Sequence, residues 1–258
     1  MPAVERVVEL LDHLAASRKP LALADLVRDL NLPKSSAHGM LATLTALGLV
    51  TRLPAGEFAL GSRVLQWASA YSLHSDVVGA FNEFADDVAA LGAETLMLSV
   101  LDGADVVYLA CRPGSRALAV NFRVGGRFPA CCTASGKAML ASLPNDRIKA
   151  MMASGGLRRL TRRSVASTAA LLRQIETIRQ TGCAVDDEET ADGMRCYGAP
   201  IHAAGRSEAV AAVAVSLIKA SATPKRISET TTAIRVLAAR LSERLGAARA
   251  VGRIDAWT

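Results

Sequence analysis

The chain has 258 residues, 51% of them apolar and 4% aromatic, with a formal net charge of +6. That length suggests one large domain or two smaller ones with ample core, and the composition excludes disordered or collagen-like chains. No stretch is apolar for long enough to cross a bilayer. The five cysteines are odd in number and lack framework spacing, which fits a reducing cytoplasm and not a disulfide scaffold.

An amphipathic helix is expected from Ala3 to Ala16, and Glu5, Glu9 and Asp12 within it argue against a signal peptide. Ala24, Leu26, Val27 and Leu30 then recur at helical spacing until Asn31-Leu32-Pro33 breaks the period. A second helix follows at once, with Lys34, Ser35, Ser36 and His38 at its start and Met40, Leu41, Leu44 and Leu47 on one face. Gly48 stands where a left-handed cap closes such a helix. Leu49 to Leu53 and Glu57 to Leu60 read as two short strands around the turn Pro54-Ala55-Gly56. Two helices, a tight turn and a small hairpin form a winged helix-turn-helix, a device for laying one helix in a DNA major groove. Residues 1–61 carry six Lys or Arg and six Asp or Glu, so the order of elements, not charge, supports this reading.

The positive excess lies downstream, partly in Arg147, Lys149, Arg158, Arg159, Arg162 and Arg163, which read as a solvated basic face. Ser62 to Leu73 is expected to be a connecting helix with Val64, Leu65, Ala68 and Leu73 as its apolar side. Beyond it, Val77 to Leu91 reads as one helix, followed by strands at Thr95–Leu101, Asp105–Cys111 and Ala117–Val124. Asp102-Gly103 marks a hairpin between the first two. Helices are expected at Ala134–Leu143, Asn145–Met152 and Ser167–Thr181, the last burying Leu171, Leu172, Ile175 and Ile178. Strands at Cys183–Asp187, Met194–His202 and Ala209–Leu217 and a final helix at Lys225–Leu245 complete the chain. Hairpin-linked strands with helices segregated around them give an α+β class.

Several side chains admit two readings. Ser35 or Ser36 caps its helix or contacts phosphate or base, and the two roles are compatible. Lys34 and Arg52 position the DNA backbone or are merely solvated. His38 contacts a base or packs under the wing. Asp187, Glu188 and Glu189 read as a solvated strand end and turn, because adjacent strand residues alternate faces and cannot converge on one metal ion. Cys131-Cys132 should diverge in extended chain, and no paired Cys/His spacing suits zinc. His13, His38 and His74 fall in the DNA-binding and linker helices, which leaves His202 as the one partner for a nucleophilic thiol in the second domain. Buried or pocket-lining thiols are therefore the expectation. Lys137 in SGKAM lacks the long glycine loop of a phosphate site. No metal and no cofactor are expected.

LNLPKSSAHGMLATLTALGLVTR with EFALGSRVLQWA, VGGRFPACCTASGKAMLA, GCAVDDEETADGMRCYGAPI and AVAAVAVSL, in that order, resemble the IclR family of bacterial transcriptional regulators. The resemblance implies a winged helix-turn-helix domain over 1–61, a linker helix over 62–75 and a GAF-like effector-binding and oligomerisation domain over 76–258. It also implies dimers, commonly paired into tetramers, that bind operator DNA under control of a small organic or aromatic acid, without enzymatic activity. By position it places Leu118, Ala134, Ser135, Asp186, Cys196 and Ser216 in the effector pocket, where Asp186 could accept a proton from a ligand hydroxyl or amide. The chain has Gly39 where the family usually carries Arg in the recognition helix. Ala214 replaces the Ser found in sensors of small polar acids, and Tyr197 and Ala203 also depart from the pattern. The alternative is a small-molecule enzyme or sensor built on the second domain, with a degenerate helix-turn-helix.

Overall fold

Apolar residues at helical spacing close a small core in the first part of the chain. The computed structural model describes residues 3–73, 76–115 and 122–247, and the chain divides into two units, Met1–His74 and Ser75–Thr258. In the first, α1 (Ala3–Ala16), α2 (Leu23–Asp29) and α3 (Lys34–Ala46) bring Leu10, Leu14, Leu26, Leu41 and Leu44 together. The α2–α3 turn passes through Asn31 at φ 48°, a conformation that Asn tolerates through its short polar side chain. A Schellman arrangement ends α3: Leu49 N–H donates to Leu44 O at 2.9 Å and Gly48 N–H to Thr45 O at 3.0 Å, with Gly48 left-handed at φ 73°. The wing is the antiparallel pair β1 (Val50–Arg52) and β2 (Phe58–Leu60), whose Phe58 is also bridged by Leu21. Leu47, expected on the inner face of α3, is 47% exposed because the Schellman turn carries the chain away there.

The helix α4 (Arg63–Leu73) lies where a connecting helix was expected, but its apolar side is not covered within this unit. Val64 packs on the core, whereas Leu65, Trp67 and Tyr71 are exposed. Val4 and Val8 of α1 are likewise exposed.

Among the described residues the second unit is built on a six-stranded antiparallel sheet in the order β5-β4-β3-β8-β7-β6. Its helix α5 (Asp76–Phe84) is shorter than the expected helix to Leu91, and Ala89–Leu91 forms a separate 3-10 turn. Remote arginines cause the break. Asp87 is drawn to Arg240 at 2.8 Å, and Arg112 donates to the carbonyls of Leu91 and Gly92 at 2.7 and 3.3 Å. Strands β3 (Thr95–Asp102) and β4 (Asp105–Arg112) form the hairpin signalled by Asp102-Gly103. The strand expected at Ala117–Val124 is not found where it can be described: 117–121 lie outside the described residues, and 122–124 are not strand. The edge strand is instead β5 (Arg127–Pro129), after the Gly125-Gly126 turn, whose groups exchange hydrogen bonds with Tyr108.

There follow α6 (Ala134–Leu140), α7 (Asn145–Met151), a wide helical turn at Met152–Gly156, α8 (Thr168–Thr181), β6 (Ala184–Asp187), β7 (Met194–Ile201), β8 (Ala211–Ile218) and α9 (Pro224–Arg244). Strand periodicity separates the sheet into unlike faces. One carries Leu96, Leu98, Tyr197, Val213, Val215 and Leu217 against Ile234, Leu237 and Leu241 of α9 and Phe81 of α5. The register places Thr95, Ser216, Cys196 and Asp186 in one row on the opposite face, with Met97, Ala214, Gly198 and Ala184 in the next. Small residues on that face let α6 approach the sheet, and the helix buries all seven of its residues.

Candidate functional site

At α3 the chain offers a free helix N-terminus. The N-cap residue is Pro33, and no side chain caps the helix. Neither Ser35 nor Ser36 caps it, contrary to the sequence reading, because the helix starts at Lys34 and leaves both serines inside its first turn. Lys34, Ser35 and His38 are exposed and Ser36 is half-buried. His38 therefore does not pack under the wing. Arg52 projects from β1 with its guanidinium 5.9 Å from the Phe58 ring centre. Neutral overall charge hides a separation: α3 contains no acid, while Asp25 and Asp29 of α2 are paired with Arg28 at 3.0 and 2.9 Å. Such an end presents N–H groups and a partial positive charge to an anion.

A Cβ added at Gly39 meets nothing within 4 Å. Gly39→Ala is therefore expected to stabilise the first unit by about 0.5–1 kcal/mol through helix propensity. Urea denaturation checks this, and a loss of stability would show that the open space is needed.

In the second unit α6 is pressed on β7, and a cavity opens at its N-terminal end. Thr133 caps the helix by accepting the Gly136 N–H at 3.1 Å. The cavity is about 10 Å³, at the limit for one water. Ala134, Ser135, Asp186 and Cys196 line it, together with Tyr108, Phe122 and Thr190. Tyr108 and Phe122 meet edge-to-face at 5.2 Å. Ser135 Oγ is buried without a hydrogen-bond partner among the described residues, an arrangement that is costly unless a ligand or water completes it. Ser216 stands behind the wall, accepting the Cys196 thiol at 3.4 Å. Leu118 lies outside the described residues. The sequence reading missed Tyr108, Phe122 and Thr190. Alternation along β4 marks Tyr108 as inward, but nothing local marks which inward residues meet α6.

The acidic run is not a solvated turn. Asp186 is 1% exposed, and its Oδ1 accepts the N–H groups of Glu189 and Thr190 at 2.7 and 3.2 Å. With Glu188 left-handed at φ 63°, the chain folds back and points Glu189 inward. There Glu189 Oε1 meets the fully buried Lys137 ammonium at 2.5 Å, and Gln174 Oε1 accepts from the same ammonium at 2.9 Å. Glu188 and Asp187 pair with Lys219 at 2.5 and 2.7 Å. Thus Lys137 is an internal tie between α6 and the 186–190 turn.

Burial pushes the Asp186 carboxyl above its ordinary value, against the pull of its hydrogen bonds and of Lys137. As pH rises past the ordinary carboxylate range, about 4, the unfolded chain loses this proton while the folded protein keeps it. Stability therefore falls from there until the raised folded value is passed. Asp186→Asn, which still accepts both backbone N–H groups, is expected to lessen that decline and raise stability at pH 7. Melting temperatures measured from pH 3 to 8 check this; an unchanged or steeper decline would contradict it.

The thiols contradict one expectation. Cys131 and Cys132 do not diverge, because the chain turns there, with Cys132 N–H donating to Pro129 O at 3.1 Å. Their sulfurs lie 3.7 Å apart. Burial raises the Cys196 thiol well above the ordinary range. The His202 ring bonds none of the thiols among the described residues. The basic cluster is largely paired: Arg147 with Glu208 at 2.7 Å, Arg163 with Glu188 at 2.9 Å, and Arg158 with Asp105.

The IclR helix-turn-helix domain model matches residues 3–54, and the bacterial transcriptional regulator IclR C-terminal model matches residues 69–243. The glycerol operon regulatory protein of Streptomyces griseus is 32% identical over 252 residues, covering 96% of this chain and 97% of that protein. The crystal structure of the repressor BlcR of Agobacterium tumefaciens superposes with a TM-score of 0.62 at 36% identity, covering 96% of this chain and 98% of that one. An IclR homolog of Microbacterium hydrocarbonoxydans, solved as a complex with 4-hydroxybenzoate, shares the fold at TM-score 0.81 and 22% identity, covering 96% and 100% of the two chains. With both units matched in order, the chain belongs to the IclR family of bacterial transcriptional regulators.

Proposed function

We propose that this regulator reads its operator with Lys34, Ser35, Ser36 and His38 of α3 and Arg52 of the wing, and that a small hydroxylated organic or aromatic acid at the α6 cavity sets operator affinity. The observation that carries the DNA half is the uncapped, acid-free α3 N-terminus with its polar side chains in solvent. The observation that carries the effector half is Ser135 Oγ, buried and unpartnered at the cavity wall. The Tyr108–Phe122 pair supplies an apolar wall for a ring, and Asp186 an acceptor for a ligand hydroxyl. The Microbacterium homolog's ligand, a small aromatic hydroxy acid, belongs to that class. Such a molecule exceeds the room for one water, so binding must part the walls. Differential affinity for the opened arrangement is what shifts the equilibrium.

Leu65, Trp67 and Tyr71 of α4 with Val4 and Val8 of α1 are the apolar surface for a homodimer, which further pairs into a tetramer. A two-fold dimer fixes the spacing of two recognition helices, so an effector that changes the spacing changes affinity. The protein acts in the cytoplasm and is not an enzyme; its likeness to the glycerol operon regulatory protein of Streptomyces griseus supports the latter. Among the described residues no helix is long and apolar enough to cross a membrane.

The triple variant Lys34→Ala/Ser35→Ala/His38→Ala removes exposed groups only. It is expected to weaken operator binding at least tenfold, since each base contact contributes about 1–3 kcal/mol. Unchanged affinity in fluorescence anisotropy, with unchanged circular dichroism, would refute the assignment.

A further inference from the structure

We infer that Cys131 and Cys132 form a reversible disulfide between adjacent residues, which makes the turn leading into α6 a redox modification site. The turn at Pro129–Cys132 brings the sulfurs to 3.7 Å with both side chains fully buried. Neither thiol is committed to a metal or to packing alone. Each lies against backbone carbonyls, Cys131 on Gly156 O and Arg158 O at 3.4 Å each and Cys132 on Arg158 O at 3.1 Å. The chain over them is irregular, with Ser154 and Gly155 at non-helical backbone angles and Gly155 left-handed at φ 95°. Local opening of such a segment admits a small oxidant.

Adjacent Cα atoms are about 3.8 Å apart across a trans peptide, whereas disulfides favour roughly 4.4–6.8 Å. The resulting strain makes the bond easy to reduce, so it suits a switch better than a permanent brace. The oxidant is a hydroperoxide. The Cys131 sulfur attacks the peroxide oxygen, forming S–O as O–O breaks and water leaves. The Cys132 sulfur then displaces a second water from that sulfenic acid, forming S–S. Two thiols and one hydrogen peroxide give one disulfide and two waters, and the thiol pair supplies both electrons. Contact with the Cys132 thiol holds the Cys131 thiol below the ordinary cysteine value, which favours Cys131 as the attacking group.

The site is wired to the cavity on both sides. Thr133, the next residue, caps α6. Cys132 O accepts the Thr190 hydroxyl at 3.2 Å, and Thr190 N–H in turn bonds Asp186. A Cβ at Gly136 would stand 2.4 Å from Ala130 Cα, so the turn cannot shift without α6. Drawing the two sulfurs together therefore moves both walls of the cavity.

The test is covalent and does not depend on the operator or effector assignments. The full-length protein is treated with hydrogen peroxide, unfolded in N-ethylmaleimide, and its mass and peptides are measured. The expected result is two of the five cysteines protected from alkylation, a peptide spanning 128–137 lighter by two hydrogens, and full alkylation after dithiothreitol. Cys131→Ser and Cys132→Ser each abolish the protection. If either variant fails to fold, the wild-type peptide map decides alone. Five alkylated cysteines, oxygen added to Cys131 without disulfide, or a bond to any other cysteine would overturn the inference.

Discussion

Gly198→Ala is expected to lower the melting temperature of the second unit by roughly 6–12 °C and to abolish effector binding. A Cβ there would stand 2.7 and 2.8 Å from the carbonyl carbon and oxygen of Ala134 and 2.9 Å from Ser135 N. All three are backbone atoms of the first turn of α6, so no side chain can swing aside. The helix must lift from the sheet, yet all of its residues are buried and its Lys137 is tied to Glu189. Overpacking of this kind costs about 3 kcal/mol, and in a unit of this size each kcal/mol moves the midpoint by about 2–4 °C. Ala134 and Ser135 line the cavity, so the displacement that strains the fold also misplaces the groups proposed to hold the ligand. Scanning calorimetry reads the first effect and ligand titration the second. A midpoint within about 2 °C of wild type would contradict the close packing.

Lys137→Met is expected to cost about 3–5 kcal/mol, because it leaves Glu189 buried without its cation. Adding Glu189→Leu should recover most of that loss, since the desolvated charge then disappears with its partner. The effect has a pH signature. Burial already pushes the Glu189 carboxyl upward against the opposing pull of Lys137. Without Lys137 its folded value rises further. The defect is then smallest below the ordinary carboxylate range and grows with pH until the folded value is passed. Urea denaturation of the single and double variants at pH 4 and pH 7 checks both parts. A single variant as stable as wild type would show that the pair contributes nothing.

Local chemistry made the first unit legible. Asn31-Leu32-Pro33 breaks a helix, Gly48 supplies a left-handed cap, and Pro54-Ala55-Gly56 turns a hairpin, each within a few residues of its effect. Strands β3, β4, β6, β7 and β8 and the extent of α8 and α9 followed from periodicity in the same way, whereas β5 did not. What failed was decided at long range. The helix after Val77 breaks because Arg112 and Arg240 take its acids and the carbonyls beyond it. Glu189 is buried because a lysine 52 positions away waits for it. Cys131 and Cys132 meet because a turn, not an extended segment, carries them. For the site, Ala134, Ser135, Asp186 and Cys196 came from family resemblance, and the cavity brings them together. Tyr108, Phe122 and Thr190 needed the fold, since strand alternation gives a face but not a neighbour.

The proposed coupling of one small molecule to one operator through this chain has a quantitative consequence. It is tested most directly by fluorescence anisotropy with the DNA flanking its own gene, titrated with and without a panel of small organic acids that includes 4-hydroxybenzoate. Specific binding is expected, weakening with salt as phosphate contacts release counterions. At least one acid should shift the dissociation constant by about 5–150-fold, and the operator should shift that acid's affinity by the same factor. Binding no tighter than to random DNA of equal length, or an operator affinity that no acid alters at saturation, would contradict the claim.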